Sequence, residues 1–354
     1  MARLVDVADR AGVSICTVSK ILNHDNGAHA YSDACVARVR AVARELGYRR
    51  NYHAQALQTG RSDALGMVMP PPSADFSMRN GFLAALISSL DVSARKAGYH
   101  FVLIGPHGEQ HVLEAAVQFL DEGRVDGLIV PGMVCHDVQL TELECSSSPV
   151  VLIDYSDETS LPMINIDNAA GIRTAVRHLF ELGHQRLLWV GPRHEVHRAV
   201  AERRTAFWDE TKRCGVEARE QLLEHPRGHE EGRPAEVADA RAAALAALRG
   251  EFRPSGIVCY HETMALGVYA AVYEAGLRIP EDISIVGFDD VYAQVVYPPM
   301  TVVSHMLEDV GREAALLVSE MIGDSDAWQA ARRRRIVIEP ELVVRGSSGP
   351  APRR

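Results

Sequence analysis

Only six cysteines occur in 354 residues, and Cys16, Cys35, Cys135, Cys145, Cys214 and Cys259 form no CxxC pair and no metal-ligand spacing. That excludes a disulfide scaffold and a zinc module, and reduced thiols in a cytoplasmic protein are the expectation. No apolar run reaches the length needed to span a bilayer, and no charged-then-apolar leader opens the chain, so neither a membrane span nor a secretory signal is expected. The G-x-S-x-G elbow, the H-E-x-x-H helix and a glycine-rich phosphate loop are missing. Asp289 and Asp290 are adjacent and on a strand would point opposite ways, which argues against a catalytic carboxylate pair. His194-Glu195 with His197, and His225 with His229-Glu230, lack a usual metal spacing and read as solvated loop residues. No enzyme, cofactor or metal site is expected. Aromatics are also scarce, and between Trp208 and Phe252 there is none.

The composition otherwise fits a soluble globular protein, with 47% hydrophobic and 24% charged residues. The length allows two or three domains. Charge is uneven along the chain. Residues 1–60 carry eight Lys/Arg against five Asp/Glu, or +3, which leaves −13 for the rest of a chain whose formal charge is −10. A basic head on an acidic body suits a protein that offers one end to a phosphate backbone.

The head has an ordered pattern. Val7, Ala8 and Ala11 mark the inner face of a first helix, Gly12 permits a left-handed turn, and Ser14 is placed as N-cap of a second helix. Val18, Ile21 and Leu22 then face inward, leaving Ile15, Cys16, Ser19 and Lys20 outside. This is the layout of a helix-turn-helix whose second helix enters the major groove. A third helix is expected from about Ser32 to Leu46 with Val36, Val39, Val42 and Leu46 on one stripe, ended by Gly47.

The run Asp6-Val7-Ala8, Ala11-Gly12-Val13-Ser14, Thr17-Val18-Ser19-Lys20 and Leu22-Asn23 resembles the DNA-binding head of the lactose/galactose repressor family of bacterial transcription regulators. The loop from Asn23 to Ser32 is about three residues longer than the usual family form. The segment from Gly47 through Tyr48, Asn51, Ala54 and Leu57 is similar to the family's hinge. There, paired leucines wedge into the minor groove and kink the duplex, and Leu57 matches that leucine. The resemblance implies DNA contacts from Ser14, Ile15, Cys16, Thr17, Ser19, Lys20, Asn23, Ser32, Asn51, Ala54 and Leu57.

From Arg61 onward short apolar strands alternate with helices, which implies parallel sheets with right-handed crossovers. Strands are expected at 64–69, 99–105, 125–130, 150–153, 186–190, 256–259, 283–287 and 336–338. Helices are expected at 81–96, 109–122, 171–182, 203–214, 235–249 and 263–275. The sequences Val125-Asp126-Gly127-Leu128-Ile129, His178-Leu179 through Gly183-His184, and Gly276 through Asp290 are similar to family signatures. The expected fold class is α/β: a small all-α helix-turn-helix head, residues 1–50, a hinge helix, 51–60, and a two-lobed sensor, 61–350, like the periplasmic-binding-protein fold. The lobes are expected at roughly 61–161 and 162–290, with shared C-terminal segments.

Ligand in such a fold sits between the lobes at the carboxyl ends of the strands. The resemblance places Phe82, Asp154, Arg203, His261, Asp289 and His305 against effector. Arg203-Arg204-Thr205-Ala206-Phe207 carries alanine where the family has glycine, which leaves open which arginine points inward. Trp189 reads as core. With no aromatic in 209–251, a ring could be stacked instead by Phe76, Phe82 or Tyr155. Arg332–Arg335 reads as a solvated connection. The expected activity is sequence-specific binding of a pseudo-palindromic double-stranded operator by a homodimer or tetramer, repression being controlled by a small-molecule effector, a sugar by resemblance. The competing reading is an extracytoplasmic sugar-binding transport receptor.

Overall fold

In a computed structural model of the chain, the described residues are 2–23, 31–49, 60–69, 81–105, 111–132, 140–145, 148–155, 159–193, 198–224 and 232–353. The chain divides into two compact units, Met1–Ser62 and Asp63–Arg354.

The first unit contains three helices, α1 (Leu4–Ala11), α2 (Ile15–Asn23) and α3 (Asp33–Glu45). Gly12 ends α1 at φ 65°, where a side chain would be strained, and Val13 N–H returns to Ala8 O at 3.1 Å. The Ser14 hydroxyl accepts from Thr17 N–H at 3.1 Å and caps α2. Ser32 caps α3 through Cys35 N–H at 3.4 Å. Val7, Ala8, Ala11, Val18, Ile21, Val39, Val42 and Ala43 form the core, with Leu22, Val36 and Leu46 packed beside it.

The second unit holds two six-stranded sheets. The first runs β11-β5-β4-β3-β1-β2, from β1 (Ala64–Val68), β2 (His100–Ile104), β3 (Gly127–Pro131), β4 (Val150–Ile153), β5 (Met163–Ile166) and β11 (Arg335–Ile338), and all its pairings are parallel. The second runs β12-β10-β9-β8-β6-β7, from β6 (Arg186–Pro192), β7 (Glu217–Leu223), β8 (Gly256–Cys259), β9 (Ser284–Phe288), β10 (Thr301–Ser304) and β12 (Glu341–Val343). Only β12 is antiparallel there. The continuous burial of β1, β3, β4, β5, β8 and β9 is what helices on both faces impose on parallel strands.

Helices α4 (Gly81–Lys96), α5 (Val112–Asp121) and α6 (Leu140–Cys145) belong to the first lobe, with α11 (Leu307–Met321) and α12 (Ser325–Ala331) returning to it late in the chain. Gly311 lets α11 approach α4 closely, because a Cβ there would meet Ser89, whose hydroxyl donates to Leu307 O at 2.6 Å. Helices α7 (Asn168–Glu181), α8 (Arg198–Cys214), α9 (Gly232–Arg249) and α10 (Glu262–Glu274) cover the second sheet. The chain therefore crosses between lobes three times, after Ile166, after Ser304 and after Ile338.

The first crossing between lobes follows Ile166, close to the expected boundary of roughly 161, because Met163–Ile166 pairs with β4 in the first sheet. Several other details depart from the sequence reading. Strands β5, β7, β10 and β12 and helices α6, α11 and α12 were not anticipated, and β12 follows the strand expected to be last. Helix α8 starts at Arg198 rather than at 203, and α9 at Gly232 rather than at 235. The Arg332–Arg335 run is only half solvated. Arg332 donates to Glu144 O at 2.8 Å and Arg335 to Leu161 O at 2.9 Å, so two of the four fasten the connection between α12 and β11 to the rest of the first lobe. Trp189 is fully buried beside Phe207, with ring centroids 5.5 Å apart.

Candidate functional site

The outer face of α2 carries Ile15, Cys16 and Lys20 in solvent, with Ile15 50% exposed although it is a large apolar residue. Exposed isoleucine at the first turn of a capped helix has no packing purpose within the unit and suits contact with thymine methyl groups. Ser14 is exposed and hydrogen-bonded to the Thr17 hydroxyl at 2.8 Å, and Ser19 is half-buried. Ser32 is exposed at the start of α3. Asn23 ends α2, its side chain lying outside the described residues. Asn51, Ala54 and Leu57, and with them the hinge, lie outside the described residues, as does the loop 24–30.

In the second unit, polar side chains from both lobes meet at the carboxyl ends of the strands. Arg203, on α8, is 3% exposed and fully oriented by its neighbours. Its Nε donates to Asn168 Oδ1 at 2.8 Å, Nη1 to Tyr260 O at 2.8 Å, and Nη2 lies 2.8 Å from His305 Nε2. The guanidinium also sits over the Phe288 ring, 3.5 Å from its centroid. Arginine has no acceptor, so His305 Nε2 must accept and the proton belongs on Nδ1. That Nδ1 lies 2.7 Å from Asp289 Oδ1. Arg203 thus fixes one imidazole tautomer, whose Nδ1 faces Asp289 at close range without the alignment of a full hydrogen bond.

Asp289 follows β9 with φ 81°, a strained conformation that turns its carboxylate off the strand. Burial alone would raise its pKa, but the adjoining His305 ring, then Arg203 and His261, outweigh that and hold it at about 2. Asp290 points elsewhere and pairs with Arg345 at 2.7 Å. Beneath Asp289, Glu262 is 1% exposed and accepts from Val291 N–H at 3.0 Å and Tyr292 N–H at 2.8 Å. Burial and the Asp289 charge push its carboxyl up to about 7.

The first lobe contributes Phe82 and Asp154. The Phe82 ring lies 4.9 Å from that of His305. Asp154 follows β4 at φ 53° and lies 3.5 Å from Arg198 Nη1, while Arg198 Nε bonds Glu202 at 2.8 Å. Gly81, at the start of α4, faces Tyr292 and Val291 of the second lobe so closely that a Cβ would collide with both. The lobes therefore touch across the cleft in this structure.

A family profile described as bacterial regulatory proteins, lacI family, matches residues 3–51. A second profile, the periplasmic binding protein-like domain, matches residues 176–348. The chain joins a lacI-family helix-turn-helix head to a periplasmic-binding-protein-like domain.

Relatives align with the chain end to end. The HTH-type transcriptional repressor PurR of Haemophilus influenzae is 28% identical over 352 residues, 98% of each chain. The Ribose operon repressor of Escherichia coli is 27% identical over 355 residues, 98% of this chain and 100% of its own. Among solved structures, the Lac repressor dimer bound to operator and the anti-inducer ONPF has a TM-score of 0.77 at 24% identity, covering 98% of this chain and 99% of that one. The regulator CelR in complex with cellobiose has a TM-score of 0.65 at 26% identity, covering 98% and 100%. The protein is a DNA-binding transcriptional regulator, and the transport-receptor alternative does not account for its head.

Of the six residues expected in the cleft, Arg203, Asp289, His305 and Phe82 are brought together and Asp154 borders them. His261 is adjacent but committed elsewhere. Its Nδ1 accepts from Met264 N–H at 3.2 Å, capping α10, and its Nε2 lies 2.9 Å from Glu236. The structure resolves which arginine turns inward, since Arg204 points to Glu220, donating from Nε at 2.9 Å and from Nη2 at 2.7 Å. Tyr155 is 6% exposed within the first lobe's core, which removes it as a stacking platform. Phe76 and the histidines at 194, 197, 225 and 229 lie outside the described residues. Among the described residues no group of three or more His, Cys, Asp or Glu is placed to hold a metal, and no helix is long and apolar enough to cross a membrane. Asn168, Arg198, Glu202, Tyr260 and Glu262 were missed. The only sequence signal for any of them is the position of Asn168 and Tyr260 just beyond a strand end.

Proposed function

We propose that this regulator represses transcription by binding a near-palindromic operator as a homodimer, and that a small hydroxyl-rich molecule, a sugar or similar metabolite, controls that binding from the interlobe cleft. The observation that carries the reading is the buried Arg203–His305–Asp289 chain at the strand ends, with Phe82 facing it from the other lobe. An ionised carboxylate accepts from neighbouring hydroxyls, a guanidinium with two N–H groups left over donates to them, and an aromatic edge covers an apolar ring face. Ligand that binds the closed cleft better than the open one shifts the population of lobe arrangements by that difference alone. The ribose and cellobiose named for two of the relatives support a carbohydrate ligand. Exposed apolar side chains, Val92 and Leu103 on the first lobe and Tyr273, Val295 and Tyr297 on the second, support a paired form.

On this reading Ile15, Cys16 and Lys20 read base edges, Ser14, Thr17, Ser19, Asn23 and Ser32 contact backbone or cap, and Asn51, Ala54 and Leu57 form the minor-groove wedge. The protein works in the cytoplasm, and no cofactor or catalytic step is assigned to it. The test is a thermal-shift panel of pentoses, hexoses, disaccharides and nucleosides, followed by gel shift on an operator selected from random DNA. A ligand that raises the melting temperature and changes operator affinity supports the reading. A ligand that binds tightly without altering operator affinity contradicts it.

A further inference from the structure

The cleft residue with the most contacts to explain is one that need not touch ligand. Asn168 is fully buried and is the first residue of α7, two positions past the crossing from β5 into the second lobe. Its Oδ1 accepts from Arg203 Nε at 2.8 Å. Its Nδ2 faces Glu202 Oε2 at 3.3 Å, Ile166 O at 3.4 Å and Asp154 Oδ1 at 3.5 Å. Among the described residues it is the side chain that touches both the cleft arginine of the second lobe and a carboxylate of the first.

The chemistry allows one orientation. Arginine only donates, so the amide oxygen must face Arg203, which forces the amide nitrogen toward two carboxylates and the crossover carbonyl. Bonds in such a buried chain polarise one another, and the two amide protons are shared among three acceptors, two of which, Asp154 and Glu202, also face Arg198. The contacts to Ile166 and Asp154 reach the first lobe and are those a small change in lobe angle would make or break, whereas Glu202 shares the second lobe with Asn168.

We propose that Asn168 is a positioning residue: it passes the state of Arg203 to Asp154 and to the interlobe crossing, and so couples cleft occupancy to lobe angle. This rests on the reading of the cleft as the effector site. An arginine drawn toward ligand draws Asn168 with it, and the grip on Asp154 changes. Aspartate is the informative replacement. It keeps the acceptor for Arg203 but sets a third negative charge against Asp154 and Glu202.

The test uses the full-length protein with a fluorophore pair, one on each lobe, and operator affinity by anisotropy, with no ligand present. Asn168→Asp is expected to open the lobes and change operator affinity about tenfold, the scale of 1.4 kcal/mol. Asp154→Asn added to it is expected to restore both, because the facing charge is gone. Arg203→Gln is expected to change both readouts in the parent protein and neither in an Asn168→Leu background. A purely structural asparagine would give additive effects and no rescue by Asp154→Asn, and either result overturns the proposal. Because the cycle needs no ligand, its failure is distinct from that of the effector reading, which the ligand panel tests.

Discussion

Asp289→Asn probes a buried charge of the cleft. The carboxyl is held at about 2, against an ordinary 3.8, because His305 and Arg203 outweigh the cost of burial. A carboxylate with a depressed folded pKa stabilises the fold above its unfolded value, and that contribution is lost as pH falls through the folded value. At 1.36 kcal/mol per pH unit the displacement corresponds to about 2–3 kcal/mol at neutral pH. Asparagine keeps the shape and one acceptor but loses the charge. His305 cannot compensate by changing tautomer, because Arg203 requires its Nε2 as an acceptor. The variant is expected to lose about 2 kcal/mol at pH 7, a fall in melting temperature of roughly 4–8 °C. It is also expected to lack the part of the parent's stability loss between pH 4 and pH 2 that Asp289 contributes, about 2–3 kcal/mol. The carboxyls of Glu144, Glu220 and Asp282 are also held low, and their share of the acid loss remains. Urea unfolding followed by tryptophan fluorescence at stepped pH reads both. Equal stability at pH 7, or an acid loss as steep as the parent's, would refute the electrostatic account of this site. Effector affinity should fall at least about tenfold, since charge-assisted hydrogen bonds are worth about 1.5–3 kcal/mol.

Lys20→Ala should cost roughly 1–3 kcal/mol on the selected operator and little on random DNA, read by anisotropy, and equal losses would reduce Lys20 to a phosphate contact. Leu57→Ala should lower operator bending while leaving subunit pairing intact, because a methyl group cannot hold a base step open. Circular-permutation gels measure the angle, and an unchanged angle removes the wedge. For Glu262 the sign is opposite to that of Asp289. Its folded value, about 7, lies above the ordinary 4.5, so the fold is favoured while the acid is protonated and loses stability as pH rises through 7. Glu262→Gln should flatten the decline in melting temperature between pH 5 and pH 8, and an unchanged slope would show that burial is not what raises this acid.

What could be read from residues alone follows from where each signal is stored. The recognition face of α2 is set within one turn by Gly12, by the Ser14 cap and by the spacing of Val18 and Ile21, all local effects that sequence order displays. Asp289 and Asp154 stand just past strand ends that the sequence shows, so chain position brings them to the cleft, whereas His305 follows β10, which the sequence does not show, and was placed by the resemblance alone. Helix α11 carried a local mark that was overlooked, a helical stripe of Val310, Ala314, Leu317, Val318 and Met321, whereas the missed strands had none. Strand β7 is an edge with mostly half-exposed, charged residues and shows no apolar run. Strands β5 and β10 are four residues each, too short for periodicity to separate from loop. The roles of Asn168 and Glu262 arise from partners 35 and 29 residues away, and nothing in their neighbours predicts those bonds. His261 shows the converse: its position suggested ligand contact, but a helix N-terminus and Glu236 use both ring nitrogens.

The central claim is that a small molecule held by Arg203 and Asp289 controls operator binding. Its most direct test is one anisotropy titration of the selected operator, with and without the ligand that gives the largest thermal shift, on the parent protein and on Asp289→Asn. The account predicts at least about a tenfold change of operator affinity in the parent, a coupling within the usual 1–3 kcal/mol, and no change in the variant, which still binds operator. The same ligand response in both proteins would contradict it.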